Sequence, residues 1–277
     1  MIGAFVIAFR EVIEAGLIVS IVLAATRSIP GRSRWVVLGI IAGITGAALV
    51  ALFAEKISEA FEGTGQDMLN AGVLIAAVLM LIWHNVWMSR HGREMAREFK
   101  AAGEAVRSGE RAAAALSVVV GAAILREGAE LVLFLYGLVA SGTSGVDLQL
   151  GALAGIGAGA LLAAVSYFGL ASIPSRYVFA VTSALVTFLA AGLAAQAVQF
   201  LANAGLVEAL QQTLWNSSGI IPENGLPGRV LHALVGYTDR PTALQAIVYV
   251  ATIVLMIALT RMGAATKRQD ARTVGQT

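Results

Sequence analysis

Two short segments of the sequence carry residue types and spacing that could do chemistry. Residues 10–14 read R-E-V-I-E and residues 126–130 read R-E-G-A-E, so both follow the pattern R-E-x-x-E. At about 100° per residue along an α-helix, the arginine and both glutamates of each segment fall on one face. Each arginine can pair with the glutamate four residues later, which leaves Glu11 and Glu127 without a local counter-charge.

These segments predict a cation site with four carboxylate ligands and two supporting arginines: Glu11, Glu14, Glu127, Glu130, Arg10 and Arg126. Carboxylate oxygens suit the hard cations Fe(III), Fe(II), Mn(II), Mg(II) and Ca(II), whereas copper or zinc would call for Cys, Met or His in the site. Two arginines and four glutamates sum to a charge of −2, which a divalent ion balances. The structural alternative is a set of buried ion pairs that only holds helices together.

The composition around the two segments is that of a membrane protein. Of the 277 residues, 58% are hydrophobic and 13% are charged, whereas an ordinary soluble domain has about 25% charged residues. The apolar residues form blocks of about 20, long enough to cross a bilayer as helices. A soluble globule is therefore excluded, and the absence of Cys excludes disulfides, thiolate zinc sites and iron–sulfur clusters.

Seven apolar blocks predict an all-α, polytopic membrane protein with seven transmembrane helices. The predicted spans are 2–25, 35–54, 69–88, 112–139, 148–170, 177–201 and 243–260. The two charged segments lie at the centres of the first and fourth spans. A central charge costs about 2.5–3.5 kcal/mol, so six cost roughly 15–20 kcal/mol if added. Ionisable residues at this depth usually mark a transport pathway.

The distribution of basic residues predicts the orientation. With the N-terminus outside, 14 of the 19 Lys and Arg residues fall on the inner side and 3 on the outer side. This asymmetry favours an outer N-terminus and an inner C-terminus. We expect a multi-pass protein of the cell membrane, which in a bacterium is the inner membrane.

An offset of 116 residues relates the first charged segment to the second, and the same offset places Gly39 and Gly43 on Gly155 and Gly159. Three spans per half predict two inverted three-helix repeats, with the substrate site between them at the membrane midplane. The whole chain is then a single transmembrane domain. Its predicted parts are repeat A (about 1–88), a cytoplasmic, solvated helical linker (89–111), repeat B (about 112–201), an outer loop packed as a cap (202–242), a seventh helix (243–260) and a cytoplasmic tail (261–277).

A seven-span protein with R-E-x-x-E in its first and fourth spans resembles the oxidase-dependent iron permeases of the Ftr/EfeU type, and its short length resembles their bacterial branch. The resemblance also covers A-A-G-L-A-A at 190–195 and the Gly236-Tyr237 pair. It implies an iron permease, in which the four glutamates bind iron during passage and both arginines are required. Iron is then the transported substrate, with no permanently bound cofactor. The resemblance also implies a separate periplasmic or extracellular protein that delivers or oxidises iron.

Other polar residues have weaker predicted roles. Acidic residues between the second and third spans could gather cations at the outer mouth: Glu55, Glu59, Glu62 and Asp67. His84, near the inner end of the third span, is a candidate exit ligand. We expect Gln196 and Gln199 to bridge helices, and we assign no role to His232.

Three other functions compete with iron import. A transporter of another hard divalent cation such as Mn(II) would need similar ligands. A membrane di-iron carboxylate enzyme would also cluster glutamates, but such sites include Glu-x-x-His pairs, and we expect no buried His beside the carboxylates. Neither H-E-x-x-H nor G-x-S-x-G occurs, so an enzyme is disfavoured. Nothing in the sequence suggests a nucleic-acid partner, and a purely structural bundle is the third alternative.

Overall fold

A computed structural model describes residues 1–60, 66–169 and 175–274. Within those ranges the chain forms helices and no strand, and Thr213 and Thr242 form an isolated antiparallel bridge. This confirms the all-helical prediction. The helices are α1 (Ile2–Ala25), α2 (Arg32–Ala60), α3 (Gln66–Arg107), α4 (Ala115–Ala140), α5 (Gly145–Tyr167), α6 (Ser175–Asn203), α7 (Leu226–Val235) and α8 (Ala243–Val274).

Five of these helices are long and apolar enough to cross a membrane, namely α2, α3, α5, α6 and α8. Helices α1 and α4 have comparable lengths of 24 and 26 residues, but each carries three charged residues at its centre. The chain is therefore a polytopic membrane protein in which the two R-E-x-x-E segments lie on separate long helices.

The contacts along α3 fix the relative directions of α1 and α4. His84 of α3 contacts Glu14 of α1, and 19 residues further along α3, Gly103 contacts Ala25 at the end of α1. The same helix meets Gly137 of α4 before it meets Arg126. Helix α1 is thus parallel to α3 and α4 is antiparallel to it, so the two charged segments run in opposite directions.

Glycines allow two helix pairs to pack backbone against backbone. A Cβ atom at Gly39 or Gly43 of α2 would lie 2.8 Å from a backbone carbonyl oxygen of α4. A Cβ atom at Gly151 or Gly155 of α5 would likewise meet the carbonyl oxygen of Met1, just before α1, or of Phe5 in α1. Small residues let transmembrane helices approach this closely, so α1 is held along α5 and α4 along α2.

The matching glycine contacts of α2 and α5 follow a different residue offset from the 116 that relates the two charged segments. The carbonyls beside Gly39 and Gly151 belong to residues 117 and 1, which differ by the offset of 116. Gly39 therefore corresponds to Gly151 at an offset of 112, one helical turn away from the predicted Gly155. The cause is a shorter connection, because 25 residue positions separate Glu14 from Gly39 but 21 separate Glu130 from Gly151.

The glycine contacts predict that Gly155→Val destabilises the protein, whereas Gly157→Val on the same helix does not. A Cβ atom at Gly155 would lie 2.5 Å from the carbonyl oxygen of Phe5, but one at Gly157 would meet nothing within 4 Å. Overpacking of this kind costs about 1–3 kcal/mol. The thermal unfolding midpoint of each purified variant in detergent measures the effect. Equal midpoints for the two variants would refute the close packing of α5 on α1.

The predicted cytoplasmic linker is a continuation of α3, and one of its faces is packed rather than solvated. Val106 is buried in a cluster with Val22 of α1 and Leu116 of α4, and Phe99 packs against that cluster. Gly103 lies so close to Ala25 that a side chain there would clash. The polar residues of this segment therefore lie on one side of the helix. Its other side packs against the ends of both α1 and α4.

The stretch between α6 and α8 packs over one end of the bundle as a cap. Tyr237 donates a hydrogen bond to the carbonyl of Ile221, and Ser217 donates one through its backbone N–H to the carbonyl of Asp239. Gly236 has a positive φ of 67° and lies against the backbone of Gly192 in α6. Only glycine suits both the conformation and this close approach, so the pair fixes α7 to α6.

Candidate functional site

Each R-E-x-x-E segment forms its own ion pair, as the spacing predicts. Arg10 donates a hydrogen bond from Nε to Oε1 of Glu14 over 3.0 Å, and Arg126 donates one to Oε1 of Glu130 over 3.0 Å. The other glutamate of each segment lies further from its arginine. The nearest nitrogen–oxygen distance is 3.9 Å for Glu11 and 4.0 Å for Glu127.

His84 of α3 joins the two segments. Its Nε2 atom is 3.6 Å from Oε2 of Glu14, and its Nδ1 atom contacts Oε2 of Glu130. The imidazole is fully buried, with its ring edge against Phe134. One histidine therefore lies between the two helices that carry the carboxylates.

Four side chains offer ligand atoms that all lie within 4.8 Å of one another: Glu11, His84, Glu127 and Glu130. All four are buried. Both oxygens of Glu11 and Oε2 of Glu127 accept no hydrogen bond from the described part of the chain. Buried carboxylate oxygens without a donor are costly, and a bound cation would supply the missing partner.

This arrangement corrects the prediction that no buried histidine accompanies the carboxylates and that His84 lies towards the exit. The sequence set the inner end of the third span at residue 88, where polar residues begin, but α3 continues to Arg107. The centres of α1 and α4 meet α3 at residue 84, because the polar continuation of α3 packs against the ends of both helices. His84 therefore lies in the centre of the site.

The two arginines have different surroundings. Arg10 is 3% exposed, whereas Arg126 is 31% exposed. The Arg126 guanidinium lies 4.2 Å from the centre of the Trp87 ring and donates a hydrogen bond from one terminal nitrogen to the sulfur of Met95. The sequence analysis missed this contact, for which the signal was the three-residue spacing of Trp87 from His84 that places both on one helix face.

Of the remaining predicted residues, the structure describes Asp67, Gln196 and Gln199. Asp67 lies in the first turn of α3. Glu62 lies outside the described residues, as do the side chains of Glu55 and Glu59. Gln199 donates a hydrogen bond to Asn203 on its own helix, so it does not bridge helices as predicted, whereas Gln196 contacts His232 of the cap. Among the described residues, Asp67, Gln196 and Gln199 do not belong to the carboxylate cluster.

A comparison with protein families decides the class of protein. The sequence profile of the Iron permease FTR1 family matches residues 1–269, which is nearly the whole chain. The chain belongs to this family. The permease is a multi-pass membrane transporter and not an enzyme, as the sequence predicted.

Curated relatives of the permease include bacterial proteins named ferrous iron permease EfeU. One from Escherichia coli is 28% identical over 276 residues, which cover 97% of this chain and 99% of the relative. Another from Shigella sonnei is 29% identical, covering 90% of this chain and 91% of the relative. A third, from Yersinia pestis, is 28% identical, with 90% and 89% covered. No solved structure matches the chain. The bacterial relatives indicate the inner membrane.

Proposed function

We propose that the permease imports Fe(II) through the buried cluster of Glu11, His84, Glu127 and Glu130. The observation that carries this proposal is the convergence of their ligand atoms within 4.8 Å at the meeting point of α1, α3 and α4. Glu14 and Glu130 each bind an arginine through one oxygen and face His84 with the other. The arginines thus orient these two carboxylates towards the site of the cation. They also neutralise part of the negative charge of the glutamates.

The ligand types support iron over the other hard cations. Carboxylates alone suit Mg(II), Ca(II) and Mn(II), whereas imidazole suits Fe, Zn, Cu and Ni. Three carboxylates and one imidazole therefore favour Fe(II) over Mg(II) and Ca(II). The names of the curated relatives also specify ferrous iron. Mn(II) and Zn(II) are the competing candidates, because Mn(II) adjoins Fe(II) in ligand affinity and Zn(II) accepts an imidazole ligand.

We place the cluster at the membrane midplane, between two inverted three-helix repeats made of α1–α3 and α4–α6. Supporting this arrangement, α1 packs on α5 as α4 packs on α2, with matching backbone contacts at Gly151 and Gly39. The two R-E-x-x-E segments also run in opposite directions. Helix α8 is then the seventh span, the N-terminus lies outside, and the cap formed around α7 faces the periplasm.

The same orientation gives the permease an outer partner. The family resemblance implies a periplasmic protein that delivers or oxidises iron, and the outer cap is the surface that such a protein would approach. The partner would release its ion on the side of the membrane where α7 lies.

Uptake of radioactive iron into proteoliposomes tests the proposed transport. We expect saturable Fe(II) uptake, with Mn(II) competing weakly and Mg(II) not at all. Protein-free liposomes and the two metals in parallel serve as controls. Mn(II) uptake faster than Fe(II) uptake would transfer the assignment to manganese, and absence of uptake of either metal would refute the cluster as a transport site.

The proposed orientation predicts which residues a membrane-impermeant thiol reagent reaches. The chain has no Cys, so Glu208→Cys in the cap and Ser108→Cys after α3 each provide one thiol. Both positions are exposed. In intact cells with a permeabilised outer membrane we expect labelling of Glu208→Cys alone, and labelling of Ser108→Cys after the inner membrane is lysed. The reverse pattern would invert the topology.

A further inference from the structure

A cavity lies beneath the cap, separate from the carboxylate cluster, and its largely apolar wall carries four polar side chains. Its walls come from the first turn of α1, the end of α4, the middle of α6 and α7. The polar side chains that line it are Ser141, Thr143, Gln196 and His232. None of them belongs to the R-E-x-x-E segments, and the sequence assigned no ion to any of them.

The hydrogen bonds of His232 fix its tautomer and identify Nε2 as the nitrogen that carries the lone pair. Nδ1 lies 2.8 Å from the carbonyl oxygen of Tyr237, and the carboxylate of Glu223 lies 3.4 Å from the same nitrogen. Because a carbonyl can only accept, Nδ1 carries the proton and Nε2 presents a lone pair. Metal-binding histidines are commonly fixed in this way, by a carbonyl or carboxylate on the nitrogen that does not bind the metal.

Gln196 faces that lone pair and supplies a second polar group. Its Nε2 atom lies 3.0 Å from Nε2 of His232, so the amide donates to the imidazole. Its Oε1 atom is buried and has no hydrogen-bond partner in the described part of the chain. Rotation of the carboxamide exchanges these two atoms and places an oxygen ligand beside the imidazole nitrogen.

A layer of apolar side chains lies between this cavity and the carboxylate cluster. On α1, Ile7 lies between Ala4, which lines the cavity, and Glu11. On α4, Phe134 lies between Leu138, which lines the cavity, and Glu130 in the same way. Ile7 and Phe134 are both almost completely buried. The cavity is thus about two helical turns, or about 11 Å, from the cluster.

We infer that this cavity is an outer loading site for a divalent transition-metal ion, with Nε2 of His232 and Oε1 of Gln196 as its protein ligands. Ser141 and Thr143 line the same cavity, and their hydroxyls and water would supply the remaining ligands. An imidazole with an amide oxygen suits Fe(II) better than Mg(II) or Ca(II). The inference rests on the proposed function and adds to it a first binding step, before the ion passes Ile7 and Phe134.

His232→Asn tests the loading site without breaking the cap. An asparagine amide can keep the hydrogen bond to the Tyr237 carbonyl, because it places an N–H near the position of Nδ1, but it has no atom near Nε2. In proteoliposomes we expect the Fe(II) concentration for half-maximal uptake to rise on the order of tenfold, with the maximal rate within about twofold. Gln196→Ala should act in the same direction, and Gln199→Ala on the same helix is the matched control.

Equilibrium Fe(II) binding to purified protein under anaerobic conditions separates this inference from the proposed function. In the Glu11→Gln/Glu127→Gln background, we expect one remaining Fe(II) equivalent, which His232→Asn removes. Unchanged half-maximal concentrations and unchanged binding in His232→Asn and Gln196→Ala would overturn the loading site, even if the wild type transports iron. A fall in the maximal rate alone, in both variants, would assign the pair a purely structural role in the cap.

Discussion

Glu11→Gln or Glu127→Gln abolishes iron uptake while the amount of protein in the membrane stays near normal. Both glutamates provide ligand atoms in the buried cluster, and neither is the hydrogen-bonded partner of an arginine. Substitution of residues that only support the ligands already lowers metal affinity or activity about 10–100-fold. Loss of a charged ligand should therefore reduce uptake at least 100-fold.

Stability should be preserved in these variants for an electrostatic reason. A buried carboxylate without a hydrogen-bond donor is unfavourable, and both oxygens of Glu11 are in that position within the described part of the chain. Glutamine keeps the shape and removes the charge. Glu14→Gln is expected to behave differently, because it also deprives the buried Arg10 of its partner.

Radioactive iron uptake in cells, normalised to permease abundance in the membrane, measures this first prediction. Glu104→Gln is the matched control, because Glu104 is an exposed glutamate of α3 that lies 3.8 Å from Lys100 and touches none of the cluster. Uptake by Glu11→Gln equal to that of Glu104→Gln would show that the segment holds helices together and does not bind the transported ion.

His84→Gln changes which metal the permease prefers. The imidazole is the one nitrogen ligand among three carboxylates in the cluster, and imidazole favours Fe(II) over Mn(II) more strongly than an oxygen ligand does. We expect Fe(II) uptake to fall on the order of tenfold or more, while Mn(II) uptake falls less, so that the ratio of the two rates decreases.

The ratio of rates distinguishes a ligand from a structural contact. If His84 only bridges Glu14 and Glu130, its replacement lowers the uptake of both metals by the same factor or lowers the amount of folded protein. His91→Gln is the control, because His91 lies two turns further along α3 and contacts the backbone of Trp87 rather than a carboxylate. An unchanged ratio in His84→Gln would refute the role of the imidazole in selection.

The two ion pairs were predictable from the sequence because they are local. Arg10 and Glu14 are four residues apart on one helix, as are Arg126 and Glu130, and that spacing brings the side chains together whatever the rest of the fold does. The all-helical class was equally predictable, since a lipid environment requires each backbone N–H and C=O to be satisfied within its own segment.

The position of His84 was not predictable in the same way. Hydropathy marks where a polar stretch begins, at residue 89, but it does not report how deep α3 lies against α1 and α4. That depth follows from packing at Gly103 and Val106, on a segment the sequence assigned to a solvated linker. The correspondence between the glycines of α2 and α5 was not predictable for a related reason. A shorter connection shifts the matching glycines by one helical turn.

The sequence by itself determined that this chain crosses the membrane as helices and that four glutamates and two arginines lie at the centres of two long apolar helices. Those conclusions depend on composition and on spacings within a single helix. The tertiary structure decided that the two segments meet, that His84 lies between them, and that His232 and Gln196 share a cavity beneath the cap. Each of these contacts joins residues far apart in the chain, and which helix faces meet depends on close packing at glycines and small side chains.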